Sequence, residues 1–178
     1  MLVITIQSRE LFDNSKQEFI NIPSCKIELE HSLLSLSKWE SKWKKPFISN
    51  NKTIEETMDY IKCMLLNEKN DIYIKYLSED NIKSINDYIS DPMTATTFYE
   101  DETTNRKKEI ITSELIYYWM IASNIPMECE KWHLNRLLTL IRICSIKNAP
   151  PKKMSKREIM DRNKMLNEAR KKKLNTNG

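Results

Sequence analysis

The chain is 178 residues long, 40% hydrophobic, with 29 Lys and Arg against 25 Asp and Glu and a formal net charge of +4. That suits one compact domain with an appendage, or at most two small domains, and the apolar content excludes disorder throughout. The single glycine is the last residue, which excludes the usual Gly-rich phosphate loop, the dinucleotide fingerprint and a glycine-dependent oxyanion turn.

The N-terminus "MLVITIQSRELF" has no basic segment followed by a long apolar run, so no signal peptide is expected. No window reaches the roughly 18 consecutive apolar residues a membrane-spanning helix needs. "LVITIQ" (2–7), "QEFINI" (17–22) and "KIELE" (26–30) have strand-like character, separated by the turn-forming "DNSK" and by Pro23-Ser24. They predict a small antiparallel sheet.

Leu36, Trp39, Trp43 and Phe47 then recur at helical spacing, with Lys38, Lys42 and Lys44 largely outside that face and Pro46 expected to end the helix. "TIEE" at 53–56 is a capping box opening a second helix, and 78–89 predicts a third with Ile82, Ile85 and Ile89 on one face. Residues 93–98 and 108–112 read as two short strands joined by a charged loop. Ser113 is expected to cap a helix whose Leu115, Tyr118, Trp119 and Ala122 share a face, with Asn124 stopping it. "MECEKWHLNRLLTLIRICSI" predicts the longest helix, with Leu134, Leu137, Leu138 and Ile141 as its apolar stripe, and these two helices are expected to form the core hairpin.

"NAPP" at 148–151 breaks the chain into a core domain, 1–148, and an arm, 149–178. A second capping box, "SKRE" at 155–158, starts a helix over 156–173, whose stripe of Ile159, Leu166 and Ala169 is poor enough to need a partner surface. Residues 147–178 hold eleven basic and three acidic residues, net +8, leaving 18 basic and 22 acidic elsewhere, net −4. The expected class is therefore α+β and helix-rich: a small N-terminal antiparallel sheet, a helical core and a C-terminal basic helix.

Chemistry-bearing patterns are sparse. The four cysteines are widely spaced without a CxxC pair, which predicts reduced thiols in a cytoplasmic setting. Cys129 and His133 lie four apart on a predicted helix, but two ligands are too few for a closed zinc site, and a buried thiol near a partly exposed histidine explains them; no metal is expected. Neither His31 nor His133 sits in a setting that announces a nucleophile. The pairs Glu55-Glu56 and Glu100-Asp101 fit dipole complementarity and solvation, so the expectation is a protein without enzymatic activity or cofactor. Trp39, Trp43, Tyr117, Tyr118, Trp119 and Trp132 offer faces on which bases stack, but most fall on apolar stripes and read as core; Trp43, among lysines, is kept as a partner contact. The basic tail reads as a solvated face, a phosphate-binding arm or a dock for an acidic protein, and composition does not choose.

The segments "LEHSLLSLSKWESKWKKPFI", "IITSELIYYWMI", "ECEKWHLNRLLTLIRICSIKNAPPKKMSKREIM" and "NEARKKKL" together resemble the tail assembly chaperones of long-tailed, siphovirus-type bacteriophages, over most of the chain from about residue 24. The resemblance implies a non-enzymatic protein of the infected host's cytoplasm that coats the tape measure protein, keeps it soluble, helps recruit tail tube subunits and is absent from the mature virion. It also implies self-association and no membrane, and carries no active-site residues. Many such proteins are made in two forms by a translational frameshift, and Arg170-Lys171-Lys172-Lys173 is the place to look for an A-rich slippery codon run. The expected partner-binding residues are Trp43, Lys152, Lys153, Lys156, Arg157, Arg162, Arg170, Lys171, Lys172 and Lys173. The alternatives are a nucleic-acid-binding phage protein that grips phosphates with the arm, and a structural tail or connector subunit of the virion.

Overall fold

The computed structural model describes residues 1–13, 17–49, 51–98, 109–150 and 155–175, which divide into two compact units, Met1–Ser145 and Ile146–Gly178. The fold is helix-rich α+β. Strands β1 (Leu2–Ile6) and β4 (Cys25–Leu29) pair antiparallel with Ile4 opposite Ile27, and β2 (Arg9–Asp13) pairs antiparallel with β3 (Glu18–Ile22). Alternation decides the faces of the first ladder: Ile4, Ile6, Ile27 and Leu29 are buried, while Val3, Thr5, Lys26 and Glu28 face outward. Strand β2 was not anticipated. Its sequence, RELFD, has little strand propensity, and its conformation comes from pairing with β3, where Phe12 lies opposite Phe19 with ring centroids 5.1 Å apart.

Helix α1 (Leu33–Trp43) starts at the Ser32 cap and stops before Pro46, because Lys44 takes a left-handed φ of 55°. Phe47, expected on the same helix, lies beyond it and folds back onto Trp39 and Tyr60. Helix α2 (Ile54–Cys63) carries the predicted Thr53/Glu56 capping box, and the chain after it runs beside β4 through Glu30 N–H to Met64 O and Leu66 N–H to Glu28 O. A 3-10 helix over Glu68–Tyr76 follows, then α3 (Glu79–Ser90), capped by Ser78, which buries Ile85 and Tyr88 and half-buries Ile82 and Ile89.

The predicted strands at 93–98 and 109–112 are absent; residue 108 and the loop 99–107 lie outside the described residues. Local bonds win over a ladder here: Met93 has φ 49° and donates to Asp91 Oδ1, and Thr96 N–H donates to Thr94 Oγ1. Helix α4 (Ser113–Ala122) is capped by Thr112 rather than Ser113, and it buries Ser113, Ile116 and Met120. The expected face is split: Leu115 and Trp119 are half-buried, with Trp119 packed against the core, and Tyr118 and Ala122 are exposed.

The predicted long helix is two pieces, a 3-10 helix over Met127–Lys131 and α5 (Leu134–Asn148). Between them Trp132 is extended, because the chain pairs with the start of α1: Ser32 and His133 form a β-bridge, and Leu134 N–H donates to His31 O at 2.7 Å. Leu134, Leu137 and Ile141 are buried as the stripe predicts, and Leu138 is half-buried. The hub is α1, which packs on α2, α4 and the 127–131 segment, rather than an α4–α5 hairpin. Helix α6 (Lys156–Leu174) has its predicted Ser155/Glu158 capping box and, at 19 residues, is longer than the 15-residue α5.

Candidate functional site

Helix α4 is held at its start by a buried carboxylate. Glu40 of α1 accepts from Phe47 N–H through Oε1 and from Ser113 N–H through Oε2, both at 2.7 Å, so one side chain fixes the loop after α1 and the N-terminus of α4. A carboxylate at a helix N-terminus also complements the free amides there. Eight of the ten α4 residues are apolar or aromatic, so the helix has apolar side chains on the half that the core does not cover. Glu114, Tyr118 and Ile121 follow each other at four and three residues on that outer half, and Tyr118 and Ile121 are 64% and 67% exposed. Beside them the Tyr117 hydroxyl donates to Glu130 Oε2 at 2.8 Å, bringing a second carboxylate to the flank. The arrangement can bind apolar surface with an acidic margin.

The predicted partner residues fall in separate places. Trp43 is half-buried near the end of α1, stacked on Trp39 at 6.2 Å, with its indole N–H donating to Asp59 Oδ2 at 2.8 Å. Lys42 Nζ and Lys45 Nζ stand 5.9 and 6.0 Å from its ring, and Lys42 also pairs with Asp59, a bond that raises the lysine pKa. Lys156, Arg157, Arg162, Arg170, Lys171, Lys172 and Lys173 are all exposed on α6. Lys152 and Lys153 lie outside the described residues. Helical spacing puts Ile159 and Leu166, 45% and 44% exposed, on the same side of α6 as Arg162, Arg170 and Lys173. That face is apolar with basic flanks.

The sequence did not announce a buried polar network that joins the two histidines. Their rings meet edge to face at 5.0 Å, and His133, read from sequence as partly exposed, is as buried as His31. His31 Nδ1 and the Tyr60 hydroxyl are 2.5 Å apart, His133 Nε2 donates to Tyr88 O at 3.0 Å, and the Tyr88 hydroxyl donates to Glu30 Oε1 at 2.6 Å. A carbonyl only accepts, so Nε2 of His133 is the donor, and its Nδ1 is buried without a hydrogen-bond partner. Burial first, and then the neighbouring His133, lower the His31 pKa to about 3, so this ring is neutral at physiological pH. Burial pushes the Tyr60 hydroxyl well above its ordinary value. The network clasps the β4–α1 junction, α2, α3 and the start of α5 together, and Glu30 at its end also pairs with the N-terminal ammonium at 2.7 Å.

Elsewhere, a cleft of about 500 Å³ is lined by Gln7, Ser8, Arg9, Tyr76 and Ser78 among others, and Arg9 donates to Tyr76 O at 2.6 Å. Among the described residues there is no group of three metal-ligating side chains, Cys129 and His133 included, and no helix long and apolar enough to cross a membrane. Set against protein-family models, curated proteins and solved structures, the chain has no match.

Proposed function

We propose that the protein is a tail assembly chaperone of a long-tailed bacteriophage, which binds the tape measure protein during tail assembly and helps bring tail tube subunits to it. The observation that carries this reading is the outer half of α4, an apolar face left open on a well-packed core. A tape measure protein is a long helical chain with apolar stripes, and it stays soluble only while those stripes are covered. An apolar helix face on a folded unit covers one such stripe by helix-to-helix packing, and many copies cover the length. The basic arm adds contacts to acidic positions beside the stripe.

The test is co-expression with the tape measure protein encoded by the long gene expected just downstream. The chaperone should raise the soluble fraction of its client, and Ile121→Asp should abolish the gain while the core stays folded. A second reading rests on the eight exposed Lys and Arg of α6, which suit a nucleic-acid backbone. It predicts a band shift of labelled DNA or RNA whose log affinity falls with log salt at a slope of about −0.9 for each phosphate contacted.

A further inference from the structure

We propose that the outer face of α4 is also the docking surface for α6 of a second copy of this chain. This goes beyond client binding and does not depend on it, because it concerns the purified protein alone.

Three observations meet here. The face on α4 is apolar at Tyr118 and Ile121 and carries carboxylates at Glu114 and, through the Tyr117 hydroxyl, at Glu130. The face on α6 is apolar at Ile159 and Leu166 and basic at Arg162, Arg170 and Lys173. The units that bear them are opposite in charge: residues 1–145 hold 18 basic and 22 acidic residues, net −4, and residues 146–178 hold eleven and three, net +8. Apolar groups meet apolar groups and opposite charges meet at the margin, the combination that gives an interface both affinity and register. Lys44 and Lys45 line the cleft beside Glu114, so the basic groups of α6 belong at the Glu130 end of the face.

The energetics point the same way. No described residue of α6 is buried, and a helix in a protein draws most of its stability from packing an apolar face rather than from propensity. Docking on α4 supplies the apolar contact it lacks. A nucleic acid matches the charge of α6 but leaves Ile159 and Leu166 with nothing to cover them. Donor and acceptor are different patches present on every copy, so the contact is heterologous; it closes as a reciprocal pair or continues as a chain.

The experiment uses full-length protein. A photo-crosslinking amino acid is placed at Tyr118 in an unlabelled chain, which is mixed with an isotope-labelled wild-type chain and irradiated. Mass spectrometry should find the crosslinker joined to labelled peptides from residues 156–174. In parallel, sedimentation should show micromolar self-association that Ile121→Asp and, separately, Leu166→Asp weaken about tenfold or more. Both positions are solvent-exposed, and circular dichroism checks that each variant is folded. A monomer across the micromolar range overturns the proposal. So do crosslinks confined to the unlabelled chain, crosslinks from α4 to α4, and association that Leu166→Asp leaves unchanged. Loss of tape measure binding with intact crosslinking would remove the client reading and leave this one standing.

Discussion

Replacing Glu40 with Ala should release the start of α4 from α1. Two buried amides depend on this carboxylate, those of Phe47 and Ser113, each at 2.7 Å, and the side chain is buried within the hub helix. Hydrogen bonds to a charged group contribute about 1.5–3 kcal/mol each, and leaving a buried amide unpaired costs about 1–3 kcal/mol. Two such amides put the cost of Glu40→Ala at about 3–5 kcal/mol, a large part of a typical domain's stability. Gln offers one acceptor oxygen and turns an N–H toward the other amide, so Glu40→Gln should cost about half as much. Urea unfolding followed by circular dichroism measures both. Hydrogen exchange should show faster exchange at α4 in the Ala variant, before the strands open. A cost below about 1 kcal/mol for Glu40→Ala, or equal costs for Ala and Gln, would refute the reasoning that this carboxylate anchors α4 through two bonds.

Acid should loosen the core at the histidine network. The folded protein keeps His31 neutral down to about pH 3, whereas the unfolded chain takes up a proton near 6.5, so the unfolded state binds more protons between these values. Stability should fall as pH drops through that window, by up to about 1.4 kcal/mol per pH unit from this group. His31→Phe should flatten that dependence in urea titrations at several pH values, at the cost of leaving the Tyr60 hydroxyl, 2.5 Å from His31 Nδ1, without its partner. Thr53→Ala removes the cap of α2, whose Oγ1 accepts from Glu56 N–H at 3.2 Å, and should cost about 1 kcal/mol in the same assay. Ile121→Asp, on the open side of α4, should change stability by no more than about 0.5 kcal/mol, as surface positions do.

What was legible in the sequence is what local chemistry decides. The capping boxes at Thr53/Glu56 and Ser155/Glu158 fix the starts of α2 and α6 within their own first turns. Alternation over residues 26–30 is enough to place Ile27 and Leu29 inward. The misses lie where distant partners decide. Strand β2 exists because β3 pairs with it, and the break at Trp132 exists because His31 and Ser32, a hundred residues earlier, bind the backbone there. The face of α4 was unreadable for a different reason: with apolar side chains all round, periodicity names no inner side, and Glu40 and Thr112 settle the docking. The same uniformity leaves Tyr118 and Ile121 exposed on the outer half of α4, and the proposed client face rests on that exposure. The histidine network was invisible because its members are far apart in sequence and each alone is an ordinary residue. Trp43 read as a contact among lysines, and the structure adds Asp59, sixteen residues on, as the acceptor for its indole.

The role of the open face of α4 is tested by the soluble yield of the tape measure protein co-expressed with wild-type chain or with Ile121→Asp. The wild-type chain should keep the client soluble and co-purify with it, and the folded Ile121→Asp variant should do neither. A variant that protects the client as well as wild type, or a wild-type chain that never binds it, would contradict the claim that the open face of α4 covers helical apolar surface.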